Sequence, residues 1–295
     1  MPENSNTGVL NINKPAGPTS HDIVARLRRL TGLKRVGHTG TLDPFATGVL
    51  LVVLGPATRL IQYTHALPKE YVATVTLGAS STTDDRTGNI TPSQEGEPSV
   101  DAIRAALKQF EGHIKQTPPT FSAVKIKGRK LYEHARAGES ITAPPRPVTI
   151  HHIDLLNYTY PTLTLKISCS TGTYIRSLAR DLGRSLNTEA YVEELQRTKI
   201  GKFTVENSVK VDALTTQNPH TYIQPVTALV EHLSKVALSL ENVAQFRQGR
   251  SLPWNNVDVS PDNPCAVYDS ENNLVGIGTF DPATHLLKPR TVLPF

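Results

Sequence analysis

Two separate segments alternate apolar and polar residues with the period of a β-strand, and this pattern constrains the fold more than any other feature. Residues 163–169 read Leu-Thr-Leu-Lys-Ile-Ser-Cys, and residues 71–77 read Tyr-Val-Ala-Thr-Val-Thr-Leu. Each predicts a strand with one buried face. A third segment, Val49–Leu54, is continuously apolar and is followed by Gly55 and Pro56, which is typical of a strand buried on both faces. The chain therefore has to build a sheet that is covered on two sides.

Helical patterns occur between the strands at irregular intervals. Thr19, with Asp22 three residues later, predicts a capped helix start, and Gly32 is a suitable stop. A second helix, with apolar residues at helical spacing from Ile175 onward, is expected to end at Gly183. Because strands and helices do not alternate regularly, the pattern favours an α+β fold with a mixed sheet over a doubly wound one.

The length of 295 residues suggests about two domains. Residues 116–148 carry five prolines and a basic cluster, which indicates a functional loop or an insertion. A linker is predicted near residues 219–233, followed by a small β-rich unit with a hairpin at 266–278. We expect a first domain over residues 1–234, with an insertion at about 113–150, and a second over 235–295.

The basic residues are concentrated rather than evenly spread. The formal net charge is +5, and the excess lies in residues 8–40, which include Lys14, and in residues 113–150. The last 45 residues, which include Asp258, are net acidic. Two basic segments suggest a polyanion partner, although two solvated faces would look the same on charge alone.

Other classes of protein are not favoured by the sequence. Cys169 and Cys265 are far apart and have no ligand-like neighbours, so neither a disulfide scaffold nor a protein metal site is expected. No apolar run is long enough for a membrane span. The first residues, Met1–Thr7, lack the pattern of a signal peptide, and we therefore expect a cytoplasmic protein without a membrane partner.

The most unusual segment is the loop at residues 37–48, which reads Gly-His-Thr-Gly-Thr-Leu-Asp-Pro-Phe-Ala-Thr-Gly. It is neither a Walker phosphate loop nor a dinucleotide fingerprint. Its glycines suit a close approach of the backbone to a ligand. Taken alone, Asp43 before Pro44 is better explained as a turn with a capping carboxylate than as a catalytic group.

This loop resembles the catalytic loop of the TruB family of tRNA pseudouridine synthases, and the resemblance extends over most of the chain. Further matching elements occur in the family's order: residues 8–15 and 18–21, Lys69-Glu70-Tyr71, residues 170–183 with Arg176, residues 195–198 and residues 200–203. The resemblance implies a mixed, largely antiparallel sheet with flanking helices, an RNA-gripping insertion and a small C-terminal β-rich PUA-like domain. It implies the isomerisation of the T-loop uridine of tRNA, position 55 by tRNA convention, to pseudouridine.

The resemblance also implies roles for individual residues. Asp43 would attack the sugar or assist departure of the base through a covalent intermediate, and either the ribose or the uracil could be the point of attack. Arg176 would pair with Asp43 and keep it ionised and aimed, and Tyr71 would stack on the target base. No cofactor or metal is needed for this chemistry.

The remaining implied residues bind the RNA. His38 would fill the gap left by the flipped base, and Tyr174 and Leu195 would line the base pocket. The basic side chains of the insertion, Lys125, Lys127, Arg129 and Lys130, would contact the phosphates of the stem-loop. The expected partner is tRNA, with no obligate protein partner and with the protein acting as a monomer.

Two rival hypotheses remain open from the sequence. A non-catalytic tRNA-binding or RNA-folding protein would have the same basic segments, and only the set of Asp43, Tyr71 and Arg176 argues against it. A glycoside hydrolase acting on nucleosides would need two opposed carboxylates, for which Asp84-Asp85 and Asp181 are candidates.

Overall fold

The computed structural model describes residues 7–93, 96–254 and 261–294. Residues 1–6 of the N-terminal segment and Asp258 of the acidic tail lie outside the described residues. The helices are α1 Ser20–Thr31, α2 Val100–Gln109, α3 Leu131–Arg136, α4 Ile175–Ser185 and α5 Leu240–Arg247, with 3₁₀ helices at Gly55–Ala66, Val211–Ala213, Pro219–Tyr222 and Val226–Leu229. The strands are β1 Gly8–Lys14, β2 Val36–His38, β3 Thr47–Leu54, β4 Lys69–Leu77, β5 Ala79–Ser81, β6 Ile90–Pro92, β7 Gly112–Gln116, β8 Lys125–Ile126, β9 Arg129–Lys130, β10 Arg146–Thr159, β11 Thr162–Cys169, β12 Ala190–Ile200, β13 Phe203–Thr204, β14 Val209–Lys210, β15 Ser234–Ala237, β16 Leu252–Pro253, β17 Pro264–Tyr268, β18 Leu274–Asp281 and β19 Leu286–Val292.

A ten-stranded sheet forms the body of the molecule. Its main path runs β14-β1-β3-β12-β4-β11-β10-β7, with β13 paired to β12 and β2 paired to β3. The pairs β1–β14 and β12–β3 are parallel and the other pairs are antiparallel. The predicted α+β fold with a mixed, largely antiparallel sheet is therefore confirmed.

Strand β3 lies between two hydrophobic cores. Its residues Leu50, Val52 and Leu54 belong to the core on one face of the sheet, whereas Val49, Leu51 and Val53 belong to the core on the other face. Because successive side chains of a strand point to opposite faces, a strand covered on both sides must be apolar throughout. This confirms the prediction from the uninterrupted apolar run.

Helices α1, α2 and α4 cover the first face of the sheet. Helix α1 begins with the predicted capping box of Thr19 and Asp22 and ends at Gly32, which has a left-handed φ of 68°. Helix α4 continues past its predicted end at Gly183 to Ser185. A Cβ on Gly183 would lie 2.7 Å from the backbone nitrogen of Ala190, so this glycine allows α4 to pack closely on β12 rather than stopping the helix.

The predicted insertion at about 113–150 is narrower in the structure. Its two ends pair with each other as β7 and β10 at one edge of the main sheet, with Arg146 opposite Gln116. Between them, the β8–β9 hairpin and α3 enclose a small core of Val124, Leu131 and Ala143. The segment that projects from the sheet is therefore residues 117–145, and we call it the insertion below.

A second sheet, in the order β15-β17-β18-β19-β16, follows in the chain. It contains the hairpin predicted at 266–278, and its residues Ala266, Tyr268 and Ile277 pack into the second core of the main sheet. The linker predicted at 219–233 is instead a packed segment, because Leu229 and Val230 are completely buried in that same core. Within the described residues, no helix is long and apolar enough to cross a membrane.

Candidate active site

Asp43 lies at the tip of a tight turn between β2 and β3. The carbonyl of Asp43 accepts a hydrogen bond from the backbone N–H of Ala46 at 3.1 Å. The neighbours Leu42, Phe45 and Ala46 are buried in the first core, whereas the Asp43 side chain remains 32% exposed. The apolar side chains thus anchor the loop, and the carboxylate is left accessible to a substrate.

A buried lysine, Lys14, binds the backbone of the loop that carries Asp43. Lys14, the last residue of β1, is completely buried, and its Nζ donates to the carbonyls of Pro15, Pro44 and Ala46 at 2.8, 3.2 and 2.8 Å. Burial lowers the pKa of Lys14 to about 8, against the opposing effect of the Asp43 charge. Two of the three accepting carbonyls belong to Pro44 and Ala46, which follow Asp43 within three residues, so Lys14 fixes the backbone directly after the carboxylate.

Arg197 of β12 binds the same loop on both sides of Asp43. Its side chain is almost completely buried, and it donates to the carbonyls of Gly40, Thr41 and Val49 at 3.1, 3.3 and 2.7 Å. A Cβ at Gly48 would lie 2.2 Å from the carbonyl oxygen of Arg197, so only glycine permits this approach of the loop to β12.

Ser20, at the start of α1, adds a third point of attachment. Its Oγ donates to the carbonyl of Leu42 at 3.1 Å, and the N–H of Leu42 donates to the same Oγ at 2.9 Å. The loop is therefore held by side chains from β1, α1 and β12. Such a preorganised loop keeps its carboxylate in place without rearrangement during a reaction.

Arg176, in the first turn of α4, is the ionic partner of Asp43. Its Nε lies 2.9 Å from Oδ2 of Asp43, although the Nε–H makes no aligned hydrogen bond. The guanidinium is otherwise fixed by the carbonyls of Thr83 and Phe121, at 2.9 and 3.0 Å, and by Oδ2 of Asp85 at 3.2 Å. The pair predicted between Asp43 and Arg176 is thus brought together in the structure.

Asp85 is the second carboxylate partner of Arg176. It is buried, and its Oδ1 accepts hydrogen bonds from the Thr83 hydroxyl and from the backbone N–H of Thr87, at 2.7 and 2.9 Å. Arg176 therefore has two carboxylate partners, of which only Asp43 is substantially exposed.

Tyr71, near the start of β4, is 7% exposed and shares the first core with Leu195. The guanidinium carbon of Arg197 lies 6.0 Å from the centre of its ring. Burial raises the pKa of Tyr71, against the lowering effect of the Arg197 charge, so the phenol is neutral at pH 7. A neutral aromatic ring suits the stacking of a base.

His38, the last residue of β2, is partly buried and lies opposite Val52 of β3. Burial lowers the pKa of His38, and the charge of Arg197 lowers it further. The imidazole is therefore neutral at pH 7, which suits a side chain that enters a stack of bases.

Comparison with known proteins places this site in a family. The model described as the TruB family pseudouridylate synthase N-terminal domain matches residues 28–175, and that of the tRNA pseudouridylate synthase B C-terminal domain matches residues 176–241. The chain belongs to the TruB family of pseudouridylate synthases. Curated relatives named tRNA pseudouridine synthase B include one from Dehalococcoides mccartyi strain BAV1, 42% identical over 94% of this chain and 95% of the relative. Another, from Synechococcus sp., is 43% identical over 98% and 99%.

Solved structures share the fold of this TruB family member over nearly its whole length. One, titled as an H/ACA RNP bound to a substrate RNA containing 2′-deoxyuridine, aligns with a TM-score of 0.74 and 27% identity, over 97% of this chain and 85% of that chain. A Cbf5-Nop10-Gar1 complex aligns with a TM-score of 0.75 and 28% identity, over 99% and 85%. The likeness covers both sheets, including the C-terminal β domain.

The other residues expected to bind RNA in a TruB enzyme are distributed over two regions. Tyr174 is directly N-terminal to α4, and the charges of Asp43 and Arg176 both affect its pKa, which burial raises. Lys125 and Lys127 are exposed on the β8–β9 hairpin and make no ion pair with any described residue. Arg129 is paired with Glu139 at 2.9 Å, and Lys130 Nζ donates to the Tyr132 hydroxyl at 3.2 Å. Among the described residues, no hydrogen bond or ion pair joins any of these four basic side chains to Asp43.

The carboxylates of the glycosidase hypothesis have other partners. Asp85 is paired with Arg176, whereas Asp84 and Asp181 are both bound to Arg180, at 2.9 Å each. None of the three is an unpaired carboxylate facing a second one across a cleft, which that chemistry requires.

Sequence reasoning missed three residues that shape the site: Lys14, Arg197 and Asp85. Lys14 was assigned to a basic segment that suggested a polyanion partner, but its complete burial shows that it binds the protein's own backbone. Arg197 occupies an inward position of β12, between the buried Leu195 and Ile200, and a charged residue at such a position is the signal that could have identified it. Nothing local to Asp85 predicts its pairing with Arg176, since the two are distant in the chain.

Proposed function

We propose that the protein converts the T-loop uridine at position 55 of tRNA to pseudouridine. One observation carries the proposal: an accessible carboxylate, Asp43, lies 2.9 Å from the buried Arg176 on a loop that three other side chains hold in place. The relatives named tRNA pseudouridine synthase B support tRNA as the substrate.

The reaction rearranges one nucleotide without any exchange of groups. The N1–C1′ bond breaks, the uracil rotates, and a C5–C1′ bond forms; C5 loses its proton to solvent and N1 takes one up. Asp43 acts as the nucleophile that forms a covalent intermediate and is released when the new bond is made. Arg176 orients the carboxylate and balances its charge before and after the attack.

The side chains around Asp43 hold the extruded base. Tyr71 stacks on the uracil as a neutral phenol, and Leu195 and Tyr174 line the remaining walls of the pocket. His38 enters the RNA and fills the gap that the flipped nucleotide leaves. Because the bond-making atoms all come from one nucleotide and one carboxylate, the proposed chemistry uses no cofactor and no metal.

RNA binding is assigned to the basic insertion and to the C-terminal sheet. Lys125, Lys127, Arg129 and Lys130 of the insertion contact phosphates of the T-stem, and the C-terminal PUA-like sheet contacts the tRNA elsewhere. Since one stem-loop is the whole target, we propose that the protein acts as a monomer without a protein partner. We also propose that it acts in the cytoplasm.

Mapping the modified nucleotide tests the proposed position. An unmodified tRNA transcript is incubated with the protein, treated with a carbodiimide that marks pseudouridine, and copied by reverse transcriptase. The proposal requires a single strong stop at uridine 55, and this stop must be absent when that uridine is replaced by cytidine. Stops at other uridines only, with none at position 55, would refute it.

A further inference from the structure

Gln116, the last residue of β7, binds both backbone groups of one residue at the start of α4. Its Nε2 donates to the carbonyl of Tyr174 at 3.0 Å, and its Oε1 accepts from the N–H of Tyr174 at 2.7 Å. The side chain is only 2% exposed. When both the donor and the acceptor of a buried side-chain amide bind the backbone of one residue, they fix the position and the direction of that backbone.

The clamped residue is the one from which α4 starts. Tyr174 occupies the N-cap position of α4, and its own side chain makes no capping hydrogen bond. Its carbonyl also accepts the first helical bond, from the N–H of Leu178 at 3.1 Å. The start of this helix is therefore set by the amide of Gln116 rather than by an ordinary N-cap side chain.

Arg176 follows two residues after the clamped position. Its Nη2 donates to the carbonyl of Phe121, so the same short segment after β7 contacts the arginine directly. The carbonyls of Thr83 and Phe121 hold the far end of the guanidinium, and the first turn of α4 sets the backbone from which the side chain extends. The Nε of Arg176, which faces Asp43 at 2.9 Å, lies between these two anchors, so its direction depends on where that turn is placed.

We propose that Gln116 is a positioning residue for the isomerisation. It acts through the backbone of Tyr174 and holds the first turn of α4 so that Arg176 faces Asp43. It does not touch the substrate, and its loss is expected to affect turnover more than RNA affinity. The inference rests on the proposed function for its readout, because turnover is measured as pseudouridine formation.

Two substitutions and a pH series test the proposal. Gln116→Leu removes both hydrogen bonds and should lower kcat by about 10- to 100-fold, with the Kd for a T-stem-loop within about threefold of wild type. Gln116→Glu retains the acceptor, and it regains the donor only when the carboxyl is protonated, a form that burial favours. Its kcat relative to wild type should therefore rise at least about fivefold from pH 8.5 to pH 6, while the ratio for Gln116→Leu stays flat.

Ser177→Ala is the matched control. It removes a different buried hydrogen bond between the same segments, from Ser177 Oγ to the carbonyl of Thr117 at 2.8 Å, and leaves the Tyr174 backbone clamped. It should retain kcat within about threefold and show no pH-dependent ratio. Because ionisation of the buried carboxyl in Gln116→Glu also lowers stability at high pH, kcat is compared only at pH values where circular dichroism shows that this variant is folded.

The outcomes separate this inference from the proposed function. If wild type forms no pseudouridine, the proposed function fails, and a positioning role for the isomerisation fails with it. If wild type is active, the positioning role is overturned by any of three results: near-wild-type kcat in Gln116→Leu, a flat pH ratio in Gln116→Glu, or an equal loss of kcat in Ser177→Ala.

Discussion

At the scale of single residues, the site combines one accessible carboxylate with several buried cations. Lys14, Lys69 and Arg197 are each at least nine-tenths buried, and none makes an ion pair with a carboxylate among the described residues. Lys14 and Arg197 bind backbone carbonyls, whereas Lys69 Nζ donates to the Thr171 hydroxyl at 2.6 Å. Burial of a charge without an ionic partner is costly, and this has a measurable consequence for the pH dependence of stability.

Lys69→Met tests that consequence. Burial lowers the pKa of Lys69 to about 8, below the ordinary value near 10.5 that it regains on unfolding. Between these values the unfolded chain binds more protons than the folded chain, so the stability of wild type relative to Lys69→Met should rise with pH. From pH 7 to 9.5 the difference in unfolding free energy should increase by about 2 kcal/mol in favour of wild type.

Urea unfolding at a series of pH values measures this difference. Lys14, whose pKa is also lowered to about 8, is present in both proteins and cancels in the comparison. A difference that stays constant, or that falls, between pH 7 and 9.5 would contradict the assignment of Lys69 as a buried lysine without an ionic partner.

The role of a single residue could be predicted where that residue lies in a recognisable sequence motif. Asp43 and Arg176 lie in distinctive glycine-containing motifs, and the structure brings them together as expected. Lys14 could not be assigned from sequence, because a count of charges does not distinguish a solvated lysine from one that binds three carbonyls. The roles of His38, Tyr174 and Leu195 stay predictions, since they depend on bound RNA.

At the scale of secondary-structure elements, the spacing of apolar residues predicted the strands correctly where one or both faces of the strand are buried. The alternating strands β4 and β11 and the apolar strand β3 were confirmed, because each pattern records which faces are covered. Gly183 was misread as a helix stop, because close packing and chain termination both select glycine. The packed segment at 219–233 was misread as a linker because its 3₁₀ turns are too short to show a period.

The exposed lysines of the insertion can be tested for their contribution to RNA binding. Lys125 and Lys127 are exposed without ion pairs, whereas Arg129 is paired with Glu139. Since each phosphate contact contributes about −0.7 to −0.9 to the slope of log K against log salt, Lys125→Ala/Lys127→Ala should reduce the slope magnitude for tRNA binding by about 1 to 2.

The matched control removes the same charge elsewhere. Lys108 at the end of α2 and Lys210 of β14 are also exposed, and Lys108→Ala/Lys210→Ala should leave the slope within about 0.5 of wild type. Filter binding over a range of salt concentrations measures both variants. An unchanged slope in the Lys125/Lys127 variant would remove the β8–β9 hairpin from the RNA interface.

At the scale of the whole molecule, the main sheet is covered by helices on one face and by the C-terminal sheet on the other. The second core joins β1 and β3 to residues of β17 and β18 such as Ala266 and Ile277. The two sheets therefore share a hydrophobic core, and we expect them to unfold in one transition.

Ile277→Ala tests this shared core. Ile277 is completely buried, and its truncation should reduce the free energy of unfolding by about 2 to 5 kcal/mol and lower the melting temperature of the whole chain in a single step. Leu240→Ala is the control, because Leu240 is 82% exposed and its loss should change stability by less than about 0.5 kcal/mol. Two separate transitions, with only one displaced by Ile277→Ala, would show that the sheets unfold independently.

The central claim is that Asp43 of this TruB family member is the catalytic carboxylate for isomerisation of a T-loop uridine. Tritium release from a T-stem-loop that carries 5-tritiated uridine measures the loss of the C5 proton directly. Wild type should release tritium, and Asp43→Asn, which keeps the size of the side chain but loses its charge, should release none above background while binding the RNA within about threefold of wild type. Release by Asp43→Asn at a rate near that of wild type would contradict the nucleophile assignment, and no release by either protein, with binding intact, would favour a non-catalytic RNA-binding role.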